Sequence, residues 1–246
     1  MTGLLTICAL GFMLGVRHAA DADHVVAVTT IVSSHRGVRG AALIGVLWGI
    51  GHTLTILLVG GAIILFGWVI PPRVGLSMEL SVGVMLLVLG LGNIAAVLRR
   101  IRAGAIDTAR GAIAAPPHLH EGSLGRLDRT LGSRGLYQGL RPLLVGVVHG
   151  LAGSAAVALL VMATIGSSKW SFAYLLIFGV GTIVGMVLIT MAIGIPMATA
   201  GERVPRLGQA IHLAAGVLSV GFGLLLAYQI GWTDGLFTGA ARWTPQ

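Results

Sequence analysis

Apolar residues gather in six blocks along the chain, approximately 3–32, 40–70, 77–97, 142–165, 171–200 and 207–231. Each block is long enough to cross a bilayer, which takes a helix of about 20 residues. The pattern predicts an all-α, polytopic membrane protein with six transmembrane helices. The first, second and fifth blocks exceed one span, so those helices tilt or break. A continuous helix over 3–32 would measure about 44 Å, against a hydrocarbon core of about 30 Å. Polar residues interrupt this block at 18–24, and the break is expected there. No Lys or Arg precedes the apolar run 3–16, as a secretion signal requires, so Ala19-Ala20 is not read as a cleavage site.

Composition strengthens the membrane reading. Of 246 residues, 56% are hydrophobic and 10% charged, where soluble domains average about a quarter charged. The 38 glycines fit membrane helices that approach closely. A net charge of +8 could suggest nucleic acid, but no basic run is interleaved with aromatics. The excess lies in loops. Arg36 and Arg39, eight Arg from Arg99 to Arg141, and Arg203 and Arg206 follow the first, third and fifth blocks; Arg73, Lys169 and Arg242 lie on the other side. By the positive-inside rule both termini face outward and the 98–141 loop is cytoplasmic. With Pro116-Pro117 and several Gly, that loop reads as a flexible linker. His118 and His120 within it read as ordinary solvated histidines. The single Cys8 excludes an internal disulfide and a dithiol redox pair.

The two halves repeat. Gly15-Val16-Arg17-His18 parallels Gly146-Val147-Val148-His149, Gly49-Ile50-Gly51 parallels Gly179-Val180-Gly181, and Gly83-Val84-Met85 parallels Gly216-Val217-Leu218, at offsets of 131, 130 and 133. Each unit holds an odd number of spans, so the second copy enters the membrane inverted, a recurrent transporter architecture. The expected organisation is a three-helix repeat over 1–97, the linker over 98–141 and a second three-helix repeat over 142–246.

Candidate chemistry concentrates in His18, Asp21, Asp23 and His24. Ionisable groups at membrane depth are expensive and mark ion pathways. Imidazole with carboxylate suits divalent first-row transition metals better than alkali cations. On a regular helix His18, Asp21 and His24 share one side. Asp23 points about 140° away and would orient a histidine from behind the ligands. An unwound backbone would let all four converge. Arg17, four residues before Asp21, could instead pair with it. His52, flanked by Gly49, Gly51 and Thr53, falls near mid-membrane as a further ligand or as an interhelical hydrogen-bonding group. His149-Gly-Leu-Ala-Gly-Ser154 repeats the first motif without its carboxylates; His149, Ser154 and Thr182 are candidates for a second-half pathway. Asn93, Glu79 and His212 need no special role.

The stretch Arg17-His18-Ala19-Ala20-Asp21-Ala22-Asp23-His24 fits the His-x4-Asp-His signature and resembles the nickel/cobalt transporter (NiCoT) family. Gly51-His52-Thr53 is similar to that family's second motif. The resemblance is strongest over 14–60. It implies that His18, Asp23 and His24 form the core of metal recognition and that His52 tunes affinity and selectivity. Larger members have eight spans, and their later motif has acidic and Thr residues where this chain has His149 to Ser154. The six-span form looks like the shorter nickel permeases associated with urease or hydrogenase maturation.

The expectation is therefore a permease moving Ni²⁺ or Co²⁺ across a bacterial-type inner membrane, in the direction of uptake, with metal ligands His18, Asp21, Asp23, His24 and His52. The metal is substrate, and no cofactor is expected. Partners are the bilayer and, as a candidate, a second copy of the chain. The rivals are an exporter on the same scaffold, an intramembrane metal-dependent enzyme, and a metal sensor without flux. The chain has no His-Glu-x-x-His zinc signature.

Overall fold

A computed structural model describes residues 2–32, 38–67, 70–110, 140–152, 167–203, 205–239 and 241–243. The described helices are α1 (Thr2–His18), α2 (Ala22–Val32), α3 (Val38–Phe66), α4 (Pro72–Arg110), α5 (Leu140–Ala152), α6 (Ser168–Arg203) and α7 (Pro205–Tyr228), which ends in a π-turn over Gln229–Thr233. Four helices are long and apolar enough to cross a membrane: α3, α4 over Pro72–Arg99, α6 over Ser168–Met197, and α7 with its π-turn over Leu207–Thr233. The chain is an integral membrane protein. Large apolar side chains such as Leu58, Val88, Leu188 and Leu225 stand exposed on these helices, as a lipid-facing surface requires.

The first apolar block is two helices, broken at the polar cluster. Ala20 N–H donates to the Arg17 carbonyl at 2.8 Å and Asp21 N–H to the His18 carbonyl at 3.1 Å, a tight turn that closes α1. The Asp21 carbonyl then accepts the Val25 N–H at 3.0 Å and opens α2. The third block runs further than its apolar pattern. α4 continues to Arg110, so the segment read as linker begins as helix. Of the fourth block, 142–165, residues up to 152 are described.

Small residues set the helix contacts. Gly11 lies against Tyr174 and Gly15 against Phe178 and Thr182, so α1 runs parallel to α6. Gly146 meets Trp48 and His52, and Gly150 meets His52 and Thr55, so α5 runs parallel to α3. Gly45 meets Met186 and Thr190, Gly49 meets Ile183, and Gly179 meets Thr53, which makes α3 and α6 antiparallel. The α4–α7 pair is antiparallel too, with Gly83 against Gly223 and Gly90 against Gly216. A Cβ at Gly15, Gly51 or Gly146 would fall on a neighbouring backbone carbonyl. Only glycine lets the helices touch there.

Hydroxyl and amide groups tie the same pairs together. Thr53 Oγ1 donates to the Gly179 carbonyl at 3.1 Å, Thr55 Oγ1 to that of Val147 at 3.2 Å, Ser219 Oγ to that of Leu86 at 2.8 Å and Asn93 Nδ2 to that of His212 at 3.0 Å. Glu79, read as an ordinary interfacial carboxylate, accepts the indole N–H of Trp243 at 2.8 Å, which holds the C-terminal segment on α4. The main buried cluster gathers Ala19, Val28, Ile31, Trp48, Leu86 and Met186 around the α1–α2 break.

Candidate metal centre

Four histidines from four helices meet beside the break: His18 at the end of α1, His24 in the first turn of α2, His52 in α3 and His149 in α5. His24, His52 and His149 are fully buried, while His18 is 18% and Asp21 52% exposed, so the cluster opens toward Asp21. His18 Nε2 and His52 Nε2 lie 3.1 Å apart. Two nitrogens bound to one first-row metal at about 2.1 Å stand about 3 Å apart at a right angle. One donor atom each from His18, His24 and His52 lies within 4.8 Å of the others. His18 and His24 rings stand 4.9 Å apart between centroids, and His52 is 5.1 Å from each.

The carboxylates stand behind these rings. Asp21 Oδ2 is 2.8 Å from His18 Nδ1, and Asp23 Oδ1 is 3.0 Å from His24 Nδ1. Asp23 Oδ1 also accepts the His24 backbone N–H at 2.8 Å. Each carboxylate holds a proton on Nδ1 and leaves the lone pair of its histidine on Nε2. This is the partner arrangement that orients and strengthens imidazole ligands. Asp23 therefore lies on the Nδ1 side of His24. Asp21 lies on the Nδ1 side of His18. Arg17 is exposed, and the Asp21 carboxylate is paired with His18.

Asp23 also ties the two halves together: its Oδ2 is 2.8 Å from His149 Nε2. Thr182 is buried, with its hydroxyl donating to the Phe178 carbonyl of its own helix at 3.0 Å, and its backbone nitrogen lies against Gly15. Ser154 and the loop histidines His118 and His120 lie outside the described residues.

Two aromatic residues complete the walls, and neither was singled out in the sequence. Trp48 stands 6.3 Å from the His24 ring and 5.7 Å from His149; Phe178 stands 5.5 Å from His18. Trp48 precedes His52 by one helical turn, so the i, i+4 rule carried a signal for it. Phe178 had no local signal, because it reaches the site through α6.

Among the described residues, four buried ring nitrogens lack a hydrogen-bond partner: His24 Nε2, His52 Nδ1, His149 Nδ1 and the indole nitrogen of Trp48. A buried polar atom left unsatisfied costs about 1–3 kcal/mol. His24 Nε2, in particular, is the atom that the Asp23 contact leaves free to bind a cation. A set of neutral nitrogens backed by two carboxylates can hold a divalent transition metal and balance its charge.

Comparison with known proteins agrees with this chemistry. The chain is 37% identical over 238 residues to urease accessory protein UreH of Bacillus sp. (strain TB-90), covering 95% of this chain and 96% of that protein. It is 24% identical over 231 residues to chloroplast protein FOR GROWTH AND FERTILITY 2 of Arabidopsis thaliana, covering 92% of this chain and 57% of the relative. FOR GROWTH AND FERTILITY 1 of the same plant is 26% identical over 224 residues, covering 91% of this chain and 59% of the relative. No solved structure matches. A family model described as NicO, high-affinity nickel-transport protein, matches residues 4–231. A buried imidazole cluster at a broken helix and a family match over nearly the whole length lead to one assignment: this chain belongs to the NicO family of high-affinity nickel-transport proteins.

Proposed function

We propose that this protein is a permease that moves Ni²⁺, Co²⁺ or both into the cell across a bacterial-type inner membrane. The observation that carries the reading is the convergence of His18, His24 and His52 donors within 4.8 Å in a buried cluster between membrane helices. The ion sheds water at the Asp21 side and binds the three imidazoles. Asp21 and Asp23 offset its two charges from behind. Nickel and cobalt share this ligand preference, so the site suits either ion. The family is one of transporters, and the protein is not an enzyme.

The helix pairing supports an inverted-repeat organisation. Exchanging α1 with α5, α3 with α6 and α4 with α7 maps the parallel α1–α6 contact onto the parallel α5–α3 contact. The same exchange maps the antiparallel α3–α6 and α4–α7 pairs onto themselves. In this organisation α1 and α2 form one broken span, and α5 begins the fourth of six. The units are 1–97 and 142–246, with the basic 98–141 segment cytoplasmic and both termini outside. The metal centre then lies at the interface between repeats, where such transporters bind substrate.

Radiolabelled Ni²⁺ accumulation in cells expressing the chain tests the direction. Accumulation above the empty vector supports uptake. Lower accumulation together with raised nickel tolerance would reverse the direction and keep the metal assignment. No change in either contradicts nickel permeation.

A further inference from the structure

The geometry points to a second ion position on the far side of His24, formed by Asp23, His24 and His149, so that His24 passes one Ni²⁺ between two ligand sets. This rests on the nickel reading above and adds a step to it. Donor atoms of Asp23, His24 and His149 lie within 4.8 Å of one another, as those of His18, His24 and His52 do, and His24 belongs to both groups. Its Nδ1 faces Asp23, while its Nε2 has no partner among the described residues. The His149 ring is 4.0 Å from His24 but 6.3 Å from His52, so His149 extends the cluster away from the first set. His149 is buried, and its Nδ1 is another of the unpartnered nitrogens.

A neutral imidazole carries one lone pair and one N–H. His24 can therefore bind metal through Nε2 or through Nδ1, and not through both while neutral. With the ion in the first set, Nδ1–H rests on Asp23. With the ion in the second, Nδ1 and an Asp23 oxygen are ligands, the His24 proton is on Nε2, and the His149 Nε2 proton has moved to Nδ1. The two positions are thus filled alternately, and one ion is bound at a time. The second ligand set draws on both halves of the chain, which the first does not, since His149 alone among these residues comes from the second.

Calorimetric titration of the purified full-length protein with Ni²⁺ tests this. Wild type is expected to bind one Ni²⁺. A His18→Ala/His52→Ala double variant is expected to bind one Ni²⁺ more weakly, and adding His149→Ala is expected to abolish that residual binding. A double variant that binds no Ni²⁺, or whose binding ignores His149→Ala, overturns the second position. Wild type that binds no Ni²⁺ overturns the nickel reading itself. Flux supplies an independent arm should the double variant fail to fold. His149→Gln keeps an N–H for Asp23 but is a poor ligand, and it should lose at least about tenfold in Ni²⁺ flux, by analogy with the loss of a ligand or its partner. His149→Cys restores a ligand and should recover flux. Wild-type flux in His149→Gln means that His149 only positions Asp23, and the proposal falls.

Discussion

Among single residues, chemically similar groups are assigned different work in the proposed mechanism. In the first proposed ligand set His18, His24 and His52 present nitrogen atoms to the ion, whereas Asp21 and Asp23 act there through the rings in front of them. Asp23→Asn should keep its helix and weaken Ni²⁺ affinity about 10–100-fold, the usual cost of losing a carboxylate behind a histidine ligand; equilibrium dialysis reads this directly. Proton competition gives a second test. Imidazole coordinates only when a ring nitrogen is unprotonated, so binding releases protons and Ni²⁺ affinity should fall as pH drops from about 8 to about 5. An affinity flat across that window would contradict imidazole ligation. The three histidines were legible in the sequence from their membrane depth and spacing. The placing of the two carboxylates was not, because it depends on how the chain turns at Ala19–Asp21. A regular helix puts Asp21 beside His18 and His24, and the tight turn swings it behind His18. The alternative pairing of Asp21 with Arg17 likewise depended on a helix that does not continue.

At the scale of the element, close helix contact decides whether the cluster forms at all. A methyl group at Gly15 would meet the Phe178 carbonyl and push α1, and His18 with it, away from α6. Gly15→Ala should destabilise the protein by about 1–3 kcal/mol, the range for overpacking, and lower nickel uptake. Gly92→Ala is the control, because a Cβ there meets nothing within 4 Å. It should be neutral or stabilising by up to about 1 kcal/mol, the helix-propensity difference. Thermal unfolding of both variants in detergent gives the comparison. The break in the first apolar block was readable from length alone, since about 44 Å of helix does not fit a core of about 30 Å. The partner of each glycine was not readable. Contacts such as Gly15 with Phe178 join residues from opposite halves, and periodicity within one helix says nothing about them.

At the scale of the whole molecule, charge and pairing give one arrangement. Arginine gathers at 36–39, 99–141 and 203–206, and glycine contacts pair α1 with α6, α5 with α3 and α4 with α7, as the proposed inverted repeat requires. In a Cys8→Ala background, Ser123→Cys should react with an impermeant maleimide only after the cells are opened, while Thr244→Cys should react in intact cells. The opposite pattern would invert the topology and leave the metal centre as it is. Glycines at helix contacts recur at offsets near 131, and that recurrence was visible in the sequence. The joining of Asp23 to His149 could not, since the second motif carries no carboxylate to advertise it.

Whether nickel crosses through the histidine cluster is decided by Ni²⁺ entry into proteoliposomes containing the purified protein, read by a trapped metal-quenched dye, for wild type beside His24→Ala at equal protein content. Flux is expected with wild type, and a return to the protein-free rate with His24→Ala. Wild-type flux in the variant would contradict a pathway through this cluster.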